Sequence, residues 1–396
     1  MTIQKNYFSK NAIILIFFIL FLFSSNICRS ESAAGESSPQ PGGPSGPQAD
    51  YQRYADLIAG VRSSHGAFAS FERRPAWAEF AKFFDQSWNK HEKKQLAPMK
   101  EWAAHELADP ISSGLSVFYP FSGPDFINPF TLFPNARTYI LTALEPIGDI
   151  PRFETMTEKD FNLFFAELRQ SLHDLLSFDY FISAHMHAAM ESEELKGVLP
   201  IILFFMARER LRILDVDYWF MEPDGTIRKV PALDGHEPDS GAAIPGVRIL
   251  FENPDSPGNR SRTLYYFRLN LYNGSFPKKV HFISFLKNLG PFITFMKSAS
   301  YVMFDPRLGA ARDFVLDQSR YVLQEDSGIP FRYFDPSVWA LQFYGTYAKP
   351  ISIFKEDYQA DLAESYQAGR NIRRLPFGIG YHFRPGTANL LLASKK

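Results

Sequence analysis

Two regions of this chain carry side chains whose types and spacing suit ligand chemistry. The first is residues 119–125, Tyr-Pro-Phe-Ser-Gly-Pro-Asp, which close a short apolar run at 115–119. Gly123 lets backbone approach a ligand closely, and a helix opening at Asp125 presents free N–H groups. Glu145 follows Gly123 by 22 residues, at the end of the next apolar run. In dinucleotide sites an acid about 20 residues beyond the glycines holds a ribose hydroxyl. Tyr119, Ser122, Gly123, Asp125 and Glu145 are therefore candidate ligand-binding residues. In an enzyme, Asp125 or Glu145 would be the acid–base group and Ser122 a hydrogen-bond donor. A tight turn followed by a helix, with Pro124 as starter and Asp125 as cap, has the same residues.

The second region is split between residues 297–300, Lys-Ser-Ala-Ser, and residues 324–327, Gln-Glu-Asp-Ser. Lys297, Ser300 and Asp326 complete the candidate set. If both regions belong to one sheet, these loops face the first turn across its carboxyl edge, where open α/β sheets bind ligands. Polar residues at strand ends are also ordinary loop content.

Two further groupings have a plainer reading. His185 and His187 could share a metal on a strand or loop, but on a helix they diverge by about 200°. Ala184, Ala188 and Ala189 favour helix, and Glu191, Glu193 and Glu194 suit a solvated helix start, so no metal is expected. Asp215 and Asp217 would share one face of a strand, with Val216 and Tyr218 on the other. They fit acid–base work, a cation, or the wet face of an edge strand. The chain has no Gly-x-Ser-x-Gly elbow, Walker loop, His-Glu-x-x-His or cysteine pair. Sequon-like triplets begin at Asn259 and Asn273.

The elements that must position these residues follow from hydrophobic periodicity. Residues 50–110 read as helices: Trp77, Phe80, Ala81, Phe84 and Trp88 recur on one helical face behind Pro75, and Pro110 ends the segment. Residues 115–144 read strand, turn, short helix, strand, which is a βαβ unit with parallel strands. An amphipathic helix spans 157–176, and another at 193–210 runs into a strand at 212–221. Antiparallel strands at 247–251 and 262–272 flank a Pro/Gly loop. A helix at 277–288, a strand at 292–296, a helix at 306–317 and a strand at 320–324 form a second parallel block. The tail predicts a strand at 339–347, a helix at 358–367 and a hairpin of 378–383 with 388–392. Residues 222–259, rich in Gly, Pro and Asp, mark an insertion or a second domain boundary.

The leader and the composition limit the compartment and the partners. Lys5 and Lys10 precede an apolar run of twelve residues, 12–23, and then a short polar stretch to Ser30. This is the layout of a signal peptide (residues 1–30), and it falls short of the roughly 20 residues of a membrane span. Cleavage after Ser30 leaves a chain without cysteine, hence without disulfides; acylation at Cys28 is the alternative, disfavoured by bulky Ile27. Residues 31–49, rich in Pro, Gly and Ser, form a flexible tether. Without Lys5, Lys10 and Arg29, 39 basic side chains stand against 43 acidic ones, a net charge of −4 with no long basic run. Nucleic acid is therefore not an expected partner, and the membrane is touched only through the leader. The chain holds 39 phenylalanines, enough for an aromatic-rich core or an aromatic-lined cleft for a sugar or apolar ligand.

The stretches YPFSGPDF, LQEDSGIP and LPFGIGYHF resemble those of uncharacterised exported bacterial proteins, which implies an envelope location. The 119–145 arrangement distantly resembles Rossmann-like proteins such as class I methyltransferases, over about 30 residues. It has one glycine where they usually have two or three, and two prolines in the turn. The expected architecture is α/β, with a Rossmann-like three-layer mixed sheet, inserted antiparallel hairpins and N-terminal covering helices, in one domain over residues 50–396. The expected protein is periplasmic or secreted, binds a small molecule or an envelope component, uses no cofactor and performs no catalysis. The alternative is an enzyme, hydrolytic or degenerate methyltransferase-like, with its site at the sheet's carboxyl edge.

Overall fold

The computed structural model describes residues 51–62, 66, 68–178, 195–233, 236, 242–255, 260–369 and 371–396. The expected leader, Cys28, the tether, Asp50, His185, His187, Glu191, Glu193, Glu194 and Asn259 lie outside the described residues.

Eleven strands form one mixed sheet: β1 (Val117–Pro120), β2 (Thr138–Ala143), β3 (Arg212–Met221), β4 (Ile227–Val230), β5 (Ile244–Glu252), β6 (Arg262–Arg268), β7 (Phe292–Met296), β8 (Ser319–Gln324), β9 (Trp339–Gly345), β10 (Ile372–Arg373) and β11 (Asn389–Lys395). Their order is β10-β9-β11-β8-β7-β1-β2-β6-β5-β3-β4. The five central strands, β8-β7-β1-β2-β6, are mutually parallel. The strands β5, β3 and β4 extend one side antiparallel, and β11 and β9 extend the other. Thus strands from both sides of residues 222–259 belong to the same sheet. Both βαβ blocks fold as expected, through the helices Ile127–Leu132 and Gly309–Gln318.

Side-chain alternation divides the apolar residues between two faces. Val117, Tyr119, Tyr139 and Leu141 join one cluster, together with Trp77, Phe84, Trp88 and Met99 of the N-terminal helices. Phe118 and Ile140 join the other, with Phe282, Ala311, Val315 and Leu362 of later helices. The helix Leu199–Arg208 (LPIILFFMAR) is apolar all round, and all but its last residue are buried, the rule for a helix covered on every side. Its Phe204 meets Phe84 edge-to-face, with ring centroids 4.9 Å apart. The phenylalanine excess is therefore largely core. No helix of the described residues is long and apolar enough to cross a membrane.

The tail departs from expectation. Residues 388–392 do not pair with 378–383. Residues 389–392 lie in β11, which inserts antiparallel between β8 and β9. Residues 378–383 form instead a tight turn closed by an Ile379–His382 bridge. A Cβ on Gly378 would fall 2.0 Å from the Phe383 carbonyl carbon, so the turn excludes any side chain there. Two helices also start late. The turns Phe276–Lys278 and Pro306–Leu308 are 3-10, each opening around a proline, before α-helix begins at Val280 and Gly309.

Phe204→Ala should cost about 3–5 kcal/mol in urea denaturation, through lost transfer energy and a cavity that the surrounding rings cannot fill. A cost below ~1 kcal/mol would mean that this helix is not packed as described.

Candidate functional site

The parallel strands end at one edge of the sheet. The chain leaves β1 toward β2 on one side and leaves β7 toward β8 on the other, so the sheet reverses its winding between β1 and β7. Open α/β sheets bind ligands outside the carboxyl ends of strands at such a switch point.

Asp125, just after β1, and Lys297, just after β7, meet across this point. The Lys297 Nζ lies 3.3 Å from Asp125 Oδ2, and both side chains are only 2 % exposed. Local sequence holds Asp125 in place. Ser122 N–H donates to the Thr142 carbonyl at 3.1 Å and ties the turn to β2. Gly123 adopts the left-handed backbone that the turn requires. Tyr119 OH donates to Asp125 Oδ2 at 3.0 Å, and Asn128 donates from its amide side chain at 3.0 Å and its backbone at 3.3 Å. Asp125 therefore accepts a backbone N–H from the first turn of the short helix, whose N-cap position is Phe126, and it also meets a buried cation.

Beside this pair lies a second acidic group at the end of β8. Glu325 Oε1 accepts from the Ser298 N–H at 2.9 Å and from the Ser327 hydroxyl. Burial, then the neighbouring Asp326 charge, pushes the Glu325 carboxyl well above its ordinary value. Asp326 accepts from the Asn389 amide at 2.9 Å and from the Tyr301 hydroxyl, and His382 Nε2 stands 3.7 Å away. Burial first, with Asp326 next, raises the Tyr301 phenol. Gln359 bonds the Asp326 carbonyl at 3.0 Å.

A roof closes the edge. Gly380, also left-handed, abuts Glu325: a Cβ there would lie 3.2 Å from the carboxyl carbon. Gln95 Nε2 donates to the Gly378 carbonyl at 2.5 Å, and Trp102 Nε1 to the Arg374 carbonyl at 3.2 Å, fastening the roof to the N-terminal helices. Tyr381 OH donates to the Ser298 carbonyl at 3.1 Å and lies 2.8 Å from Ser300 Oγ. Ser298, Ser300, Tyr381 and His382 are half-buried and form the rim. His91, at the end of the helix Pro75–His91, is lowered to about 4 by burial and then by the Lys297 charge. Its neutral form favours the fold above the ordinary histidine value, and that contribution is lost as pH falls toward 4.

Backbone strain collects at the same edge. Six non-glycine residues among those described have left-handed φ, and four of them (Phe121, Ser298, Ser300 and Tyr301) lie in these loops. Each such residue costs of order 1 kcal/mol or more and persists only where its surroundings enforce it; such residues cluster at functional sites.

The structure thus brings Tyr119, Asp125 and Lys297 into direct contact, and places Ser300 and Asp326 in the adjoining loops. Ser122 Oγ stays within its turn, 3.0 Å from the Gly123 carbonyl. Glu145 follows β2 on the β6 side, where its carbonyl accepts from Tyr266 OH at 3.1 Å. Sequence reasoning did not single out Tyr301, Glu325, Gln359, Tyr381, His382 or Asn389. The nearest signals were the acid doublet after β8 and the Gly-containing stretch LPFGIGYHF. Asp215 and Asp217 do share a strand face, as expected, and both engage Arg248. No group of three or more potential metal ligands occurs among the described residues. Comparison with family models, curated proteins and solved structures finds no match for this chain.

A carboxyl raised in the fold gives stability that is full below its unfolded value and is lost as pH rises through the folded one. Glu325→Gln keeps the acceptor and cannot ionise. Its Tm advantage over the wild type should therefore grow from pH 5 to pH 9; an advantage that is flat or shrinks with pH would show that Glu325 ionises freely.

Proposed function

We propose that this chain is an exported α/β protein of Rossmann-like, three-layer construction that binds a small polar molecule at the carboxyl edge of its sheet. Strained, non-glycine backbone, concentrated where buried charges meet at the switch point, carries this reading. A scaffold gains nothing from four left-handed residues in the loops that hold a desolvated ion pair, whereas a site that must present fixed donors and acceptors does. The rim is built from the half-buried Ser298, Ser300, Tyr381 and His382; the Ser298 hydroxyl and His382 Nε2 are themselves buried and have no hydrogen-bond partner among the described residues. Export rests on the leader and on the resemblance to exported bacterial proteins, and it places the site in a compartment poor in nucleotides.

One observation favours a second reading, an enzyme. Burial and the neighbouring Asp326 charge push the Glu325 carboxyl well above its ordinary value, and two carboxyls in unlike environments are how acid–base sites divide their roles. Glu325 would be the proton donor of a hydrolase-like site. A degenerate methyltransferase is the variant that predicts S-adenosylmethionine binding.

The binding reading is tested by thermal shift of the full chain against amino acids, organic acids, nucleosides and S-adenosylmethionine. At least one compound should raise Tm in a concentration-dependent way and be recovered unchanged, and Tyr381→Phe should diminish the shift. Turnover of any compound supports the enzyme instead, and no shift with any compound removes the binding reading. Export is tested separately: expressed in a Gram-negative host, the chain should appear in the osmotic-shock fraction with Glu31 as its first residue. Intact chain in the cytosol would contradict it.

A further inference from the structure

A groove of about 500 Å³ lies away from the carboxyl-edge cluster, between the helix Val280–Asn288 and the β3–β4–β5–β6 face of the sheet. That volume is ordinary for a small-molecule site. Trp219, Tyr265 and Phe285 give it an aromatic lining, with Tyr265 and Phe285 edge-to-face at 5.3 Å. Gly246 makes room for the indole, since a Cβ there would stand 3.2 Å from the Trp219 ring. Ile227 on β4 and Val280 on the helix line the groove and are 47 % and 59 % exposed, among the most exposed large apolar side chains described.

Two polar groups of the lining have no hydrogen-bond partner among the described residues. His281 is only 7 % exposed, and both of its ring nitrogens are buried and unpartnered. Burial, then the Lys279 charge, lowers this imidazole, so at neutral pH it carries one donor and one acceptor. Arg248 spends its terminal nitrogen on Asp215 and Asp217 and leaves its buried Nε–H unpartnered. Buried polar groups in native proteins are nearly always satisfied, so such exceptions call for an occupant that satisfies them.

The formal charges of the lining cancel: Lys229 and Arg248 stand against Asp217 and Asp224, and Asp217 engages both cations. Net charge therefore selects neither an anion nor a cation. The polar groups call for a ligand that both donates and accepts, and the rings call for one with an apolar face. We infer that this groove is a second binding site, for an uncharged, hydroxyl-rich ring of the size of a mono- or disaccharide. A sugar ring lays its C–H face on the aromatic lining and donates a hydroxyl to Asp217; a small turn of the Arg248 and His281 side chains, whose Nε and ring nitrogens are closed to solvent as they stand, brings these groups onto its other hydroxyls. This site shares no residue with the carboxyl-edge cluster, so either can fail alone.

The test is titration of the full chain with D-glucose, D-galactose, N-acetyl-D-glucosamine, maltose and cellobiose, followed by calorimetry and tryptophan fluorescence. At least one should bind saturably, and D-glucuronate should bind no tighter than D-glucose. His281→Phe keeps a ring and removes both nitrogens; affinity should fall about tenfold, the worth of one neutral hydrogen bond. Arg248→Lys, which keeps the charge and removes Nε, should produce a similar loss and guards against misfolding of the first variant. Failure of all five sugars to bind at tens of millimolar overturns the inference, as does binding that both variants leave unchanged.

Discussion

The buried contact between Asp125 and Lys297 is the constraint on which the carboxyl edge depends. Taking two charges out of water costs several kcal/mol per ion, and their attraction offsets this only when geometry is good and further hydrogen bonds complete the shells. Here Tyr119 and Asn128 supply hydrogen bonds to the carboxylate. The contact joins loops that follow different strands and are about 170 residues apart in the chain. It therefore sets how the turn after β1 and the loop after β7 lie over the switch point. Everything else at the edge is arranged around that junction: the left-handed serines and Tyr301, the Glu325 carboxyl, and the roof drawn down by Gln95 and Trp102.

The edge is costly to stability in three ways that share one location. It desolvates an ion pair, it strains non-glycine backbone, and it buries the Glu325 carboxyl beside the charge of Asp326. The two apolar clusters offset these costs. Both sheet faces are packed with aromatic rings, and the helix Leu199–Arg208 is submerged among them. Proteins keep such costs where function requires them and compensate elsewhere. The groove beside Trp219 differs in kind, being open and apolar-rimmed with a neutral balance of charge.

What the sequence made legible was local. Strand, turn, helix and strand within about 30 residues identified both parallel blocks, since each is a contiguous unit with its own periodicity. From these blocks came Asp125 and Lys297, whose contact follows once both strands share a sheet. What was not legible was long-range. The segment that became β11 reads as half of a hairpin, because nothing in its own residues says that it will slip between β8 and β9. Asn389 reaches the site through that insertion and Tyr381 through the roof, while Gln359 comes in from the start of the helix Ala360–Gln367. Glu325 was visible merely as one of two acids ending a strand; the upward push on its carboxyl comes from burial, with Gly380 against it, and from Asp326, which are tertiary facts. Glu145, picked out by a spacing borrowed from dinucleotide sites, follows β2, and its backbone carbonyl accepts from Tyr266 OH on the β6 side.

The most direct test is a double-mutant cycle on the central pair, with Asp125→Asn, Lys297→Met and the combination followed by urea denaturation. Either single change should cost about 3–5 kcal/mol by stranding a buried charge, while the double variant, with no charge to strand, should be as stable as the wild type or more so. That outcome would mark the pair as kept for what it does and not for what it holds together. A double variant as unstable as either single would contradict the account and make the pair a structural clamp, and costs that simply add would show that the two charges do not interact at all.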